Sequence, residues 1–211
     1  MKNFNVVILF YSSLFILLIS SGCAEQCHKV LQIPEEFCYN RSIYLGEELS
    51  EFLLKDHNDI LYRVDEWYDD PIAYIEHSEH DSIYYQVAYQ FDKHNSILYK
   101  VGFSCNAKKE KYDISEKIRN AIHICNIVYG SNYKIMNSTN PEVNVIELVW
   151  EIDCNYITLV FLPEAILNIE YTSNQKNFYK YFGIGFCNKY ETKNFIESTK
   201  YNRKSLGIDG L

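Results

Sequence analysis

The run YQVAYQFDKHNSILYKVGFSC, Tyr85 to Cys105, decides how the rest of the chain is read. In its first half, Tyr85, Val87, Tyr89 and Phe91 alternate with Gln86, Ala88, Gln90 and Asp92. A period of two puts successive side chains on opposite faces of a strand, so one face is apolar and seeks a core. Lys93-His94-Asn95-Ser96 is a polar break, after which Ile97, Tyr99, Val101, Phe103 and Cys105 alternate again. Two such runs around a short polar gap predict an antiparallel β-hairpin.

The flanks extend this pattern. Ile72 to Glu76 offers a further strand upstream. Downstream, Asp113 to Tyr129 reads as a helix: Ile114, Ile118, Ala121, Ile122, Cys125 and Val128 form one apolar stripe. Asp113 and Glu116 have the spacing of a capping box, and Gly130 stands where a helix ends. Asn132 to Asn144 is polar and rich in turn residues. Ile146, Leu148, Trp150 and Ile152 then alternate, as do Ile157, Leu159 and Phe161 before Pro163 breaks the run. Leu167, Ile169 and Tyr171 predict one more strand, and Phe178 to Phe186 is aromatic. Leu49, Phe52 and Leu53 give Glu47 to Lys55 a short helical pattern. The order ββ-α-βββ predicts an α+β domain: an antiparallel sheet with one main helix (113–129) packed on a face, plus a short N-terminal helix.

The N-terminus is of another kind. After Lys2, Phe4 to Ser20 (FNVVILFYSSLFILLIS) is almost wholly apolar, and Ser20-Ser21-Gly22-Cys23 follows. Such a run reads as an export signal. At about 17 residues it is also just long enough for an uncleaved membrane anchor. The chain therefore divides into a signal peptide (1–22), an anchor and disulfide-pinned lead-in (23–42), a single domain (43–187) and a weakly structured tail (188–211), with Thr192 to Tyr201 a weak helix.

Leu17 to Cys23, LLISSGC, resembles the lipobox of bacterial lipoproteins, with Gly22 and Ser21 in place and Ser20 where the family usually carries Leu. The resemblance covers only the leader. It implies lipidation of Cys23, which becomes the new N-terminus, and a membrane anchor through acyl chains. The alternative is ordinary secretion, with cleavage after Gly22 or Ala24.

Seven cysteines leave one unpaired in an exported chain. With Cys23 acylated, Cys27, Cys38, Cys105, Cys125, Cys154 and Cys187 remain as disulfide candidates; six allow 15 pairings. Cys27 and Cys38 are close in sequence and make a natural local pair. Buried free thiols are the other reading.

The net charge is −8 over the whole chain, with 28 acidic residues against 20 basic ones. That balance argues against nucleic acid, whose binding needs basic surface, and favours a basic protein partner or a cation. The segment from Asp56 to Asp81 is the most acidic, and Trp67, Tyr68, Asp69, Asp70 and Tyr74 within it form a candidate binding patch, aromatic side chains beside charge being common in recognition surfaces. Aromatic packing in the sheet is the plainer reading of the same residues. Glu76-His77-Ser78-Glu79-His80-Asp81 holds the right donors for zinc, but the spacing is neither HExxH nor HxxEH. On a strand His77 and His80 would point to opposite faces, so a solvated polar segment is the stronger reading. The chain has no P-loop, GxGxxG or GxSxG motif. It therefore reads as a membrane-anchored exported lipoprotein acting as a non-enzymatic binding or inhibitory module without a cofactor, on the outer side of the cytoplasmic membrane or on the outer membrane. A structural envelope component is the alternative, and a secreted metal-dependent enzyme using His77 and His80 a more distant one.

Overall fold

A computed structural model of the chain describes residues 30–55, 61–64, 72–107, 114–139, 145–164, 178–189 and 195–198. Strands make up 56% of them. The elements are β1 (Leu31–Ile33), a 3₁₀ turn (Glu35–Phe37), β2 (Ile43–Leu45), α1 (Leu49–Leu54), β3 (Tyr62–Val64), β4 (Ile72–His80), β5 (Ile83–Phe91) and β6 (Leu98–Ala107). There follow α2 (Ser115–Tyr129), β7 (Lys134–Ser138), β8 (Ile146–Ile152), β9 (Asn155–Glu164), β10 (Phe178–Cys187) and β11 (Phe195–Glu197).

The α+β expectation is corrected by this architecture. Nine strands form one antiparallel sheet in the order β11-β7-β8-β9-β10-β6-β5-β4-β3, and β1 and β2 form a separate hairpin. Among the described residues only one helix exceeds six residues. The helix at 113–129 does form, as α2, but as part of a thin layer over a sheet much wider than the pattern implied. The C-terminal helix expected at Thr192–Tyr201 is replaced over Phe195–Glu197 by the edge strand β11, paired with β7. Strand β7 itself occupies the stretch read as turn-rich. The strand expected at Leu167–Tyr171 lies outside the described residues, as do the leader, Cys23 and Cys27.

The central hairpin forms between β5 and β6, with one irregularity. Pairing passes from Gln90 with Lys100 to Phe91 with Leu98, so Tyr99 is an extra residue in a β-bulge. The bulge shifts the phase: Leu98, not Tyr99, joins Val101, Phe103 and Cys105 in the core. Tyr99 instead donates a hydrogen bond from its hydroxyl to Gln90 Oε1 at 3.1 Å. Pro163 likewise stays within β9, next to a register shift in the β9–β10 pairing, where a missing N–H is tolerated.

The core fills one side of the sheet. Ile83, Val87, Tyr89, Phe91, Ile157, Leu159, Phe161 and Phe186 meet Leu31, Ile33, Ile43 and Leu45 of the small hairpin, Phe52 of α1, and Ile118, Ala121, Ile122 and Cys125 of α2. Ile114, not Asp113, occupies the N-cap of α2 and gives no side-chain cap; its own N–H instead donates to Tyr179 O at 3.0 Å. Trp150 Nε1 donates to Gly130 O at 2.9 Å at the other end. These two bonds pin both ends of the helix to the sheet. Val128, assigned to the stripe from sequence, is exposed. Among the described residues no helix is long and apolar enough to cross a membrane.

Candidate functional site

Between α2 and the 3₁₀ turn the covering layer leaves a cleft of about 410 Å³. Its floor comes from the sheet: Tyr85 on β5, Phe103 on β6 and Phe182 on β10, with Phe37 from the turn. The rings pack in a chain, Phe37–Phe103 at 5.5 Å, Tyr85–Phe103 at 6.1 Å and Phe103–Phe182 at 5.9 Å between centroids. They sit together because β5, β6 and β10 are neighbours and each contributes its core-facing set. The rim is polar. Glu36 projects from the turn, and Glu116, Lys117 and Asn120 from the first half of α2, all exposed. Lys117 is engaged internally: its ammonium lies 5.4 Å from the Tyr85 ring centroid, and a hydrogen bond to the Tyr85 hydroxyl holds it above the usual lysine range. The Glu116 carboxylate is 92% exposed, with Arg119 3.9 Å away. An aromatic floor under a mixed rim, where Glu36 and Glu116 stand beside Lys117 and Asn120, suits a ligand with an apolar stem and a polar, charged head.

A second concavity, about 380 Å³, lies on the opposite face of the sheet. Ala88, Gly102, Gly185 and Thr158 stand in one row across β5, β6, β10 and β9, and the lack of side-chain bulk hollows the surface. Tyr181 folds over Gly183 closely enough that a Cβ there would come within 2.9 Å of the tyrosine oxygen.

A third cluster is buried. Arg41, just before β2, pairs with Glu76 on β4 and donates from the same nitrogen, Nη2, to the Tyr89 hydroxyl at 3.1 Å. Glu47 pairs with Lys55. Arg41 is 9% exposed, Glu76 1%, Tyr89 0% and Cys38 0%. All four are covered by the layer above the sheet, and burial pushes the Cys38 thiol up to about 12. A nucleophilic cysteine needs the opposite shift. The cluster is a latch holding the small hairpin and α1 on the sheet.

The residues singled out from sequence fare unevenly. Of the patch, Trp67, Tyr68, Asp69 and Asp70 lie outside the described residues. Tyr74 is half-buried and packs against the core, its ring 6.0 Å from Phe52 and 6.1 Å from Phe91. His77 and His80 both lie on β4, opposite Gln86 and Ile83, hence on opposite faces three residues apart. His77 stacks near Tyr84, and His80 Nδ1 is 2.8 Å from Asp81. Among the described residues no group of three or more His, Cys, Asp or Glu is placed to hold a metal ion.

Of the disulfide candidates, Cys38, Cys105, Cys125 and Cys187 are buried and outside any disulfide, which corrects the expected Cys27–Cys38 pair and a scheme of three bridges. Their side chains are absorbed into the core as small apolar groups. Cys154 is disulfide-bonded. The cleft residues Glu36, Phe37, Lys117 and Phe182 escaped the sequence reading, because no local pattern joins a turn, a helix and three strands. The chain matches no family model, no curated protein and no solved structure.

Proposed function

We propose that this chain is an exported, lipid-anchored binding module without catalytic activity, taking a basic protein segment into the cleft between α2 and the 3₁₀ turn. The observation that supports the reading is the pairing of Glu36 and Glu116 at the rim with the Tyr85–Phe103–Phe182 floor. A lysine or arginine side chain lays its stem on the rings and its charge by the carboxylates. The net charge of −8 speeds encounter with such a partner at low salt. The leader ending in Cys23 supports the anchor.

Titration of the isotope-labelled chain with a deca-arginine peptide, followed by amide NMR, tests the cleft. The expected shifts fall on residues 35–37, 85 and 116–124, weaken with added salt, and shrink in Glu36→Gln/Glu116→Gln. Shifts spread evenly over the acidic surface, or none, contradict the reading.

A further inference from the structure

Six large apolar side chains are exposed among the described residues: Val30, Leu53, Leu54, Ile127, Val128 and Ile196. All but Ile196 belong to the layer of hairpin and helices that covers the sheet. Three of them belong to the start of β1 and the last turn of α2. Val30 is 65% exposed and leads into β1, where Leu31 points inward and Val30 therefore outward. Ile127 is 70% exposed; two residues beyond the buried Cys125, it lies about 200° round α2 from the core. Val128 is 50% exposed beside it. The last turn of α2 is tied to β1 by Tyr129, whose hydroxyl donates to Gln32 O at 2.8 Å, which brings this turn and the start of β1 together. The cleft rim lies at the other end of α2: Glu116 is eleven residues from Ile127, about 16 Å along the axis.

We propose that this end of the layer, Val30 with Ile127 and Val128, rests on the lipid surface to which the chain is anchored. The inference builds on the anchored reading above. Only six residues lie between Cys23 and Val30, seven Cα steps and at most about 24 Å of extended chain. An acylated Cys23 therefore holds the start of β1 close to the membrane. The exposed apolar group lies where that tether arrives. A short tether supplies a high local concentration of lipid, so even a small apolar patch suffices to orient the domain.

The test uses the full chain, purified from membranes and reconstituted into vesicles of phosphatidylcholine that carry brominated acyl chains. Ile127→Trp and Ile196→Trp each add a tryptophan at an exposed position, one at the patch and one on the edge strand β11. Quenching is expected in the Ile127→Trp chain and not in the Ile196→Trp chain, and adding Val30→Ser and Val128→Ser is expected to reduce it. Equal quenching of both chains, or of neither, in a protein whose mass shows the acyl groups overturns the orientation alone. A mass without acyl groups overturns the anchored reading, and this inference with it.

Discussion

Glu76 is buried on β4, and its carboxylate is met by Arg41, 35 residues earlier in the chain. The contact joins the small hairpin to the nine-stranded sheet. Arg41→Met takes the guanidinium away from this buried carboxylate, and is expected to cost about 3–5 kcal/mol. Removing all three polar partners together, as Arg41→Met/Glu76→Leu/Tyr89→Phe, is expected to restore most of it, since a buried pair gains little over well-packed apolar groups. Urea denaturation of both variants measures the difference.

The buried thiols set an alkaline limit. Burial pushes Cys38 up to about 12, Cys125 up to about 12 and Cys105 up to about 11, from a usual value of 9.0. A raised pKa means that the unfolded chain ionises first. The contribution of these thiols to stability is therefore full below pH 9 and is lost as pH rises from there towards 12. Urea midpoints measured between pH 8 and pH 11 should fall with rising pH, and less so in Cys38→Ala/Cys125→Ala measured against its own value at pH 8. A thiol reagent at pH 8 should label Cys38, Cys105 and Cys125 only once the chain is unfolded.

Gly130 ends α2 at φ 87° and ψ 162°, a conformation that residues with a Cβ rarely adopt. Nothing lies within 4 Å of a Cβ added there, so any penalty is conformational rather than steric. Gly130→Ala is expected to destabilise by about 1–3 kcal/mol. A fall in thermal midpoint with little change in the circular dichroism of the native state would show it.

How much of this was readable from residues alone varied with the strength of the local pattern. The β5 and β6 strands announce themselves through strict alternation. The bulge at Tyr99 does not, because Ile97, Leu98 and Tyr99 are all apolar and either phase fits. Strand β7 carries Lys134, Asn137 and Ser138, so it has no apolar rhythm; it is held by pairing with β8 and β11. Strand β10, FYKYFGIGFC, mixes aromatic residues and glycines without a clear period, yet it sits between β9 and β6. One strongly patterned helix drew the reading towards α+β, while short and irregular strands supplied the rest of the sheet. The Arg41–Glu76 latch and the cleft depend on distant partners, for which a linear pattern gives no signal.

The intact mass of the protein extracted from membranes, with and without alkylation after unfolding, tests the central claim most directly. The account expects a chain that begins at Cys23, carries acyl groups, and takes up four alkyl groups, one each at Cys38, Cys105, Cys125 and Cys187. A chain that begins at Met1, with no acyl group and every cysteine open to alkylation, would contradict it.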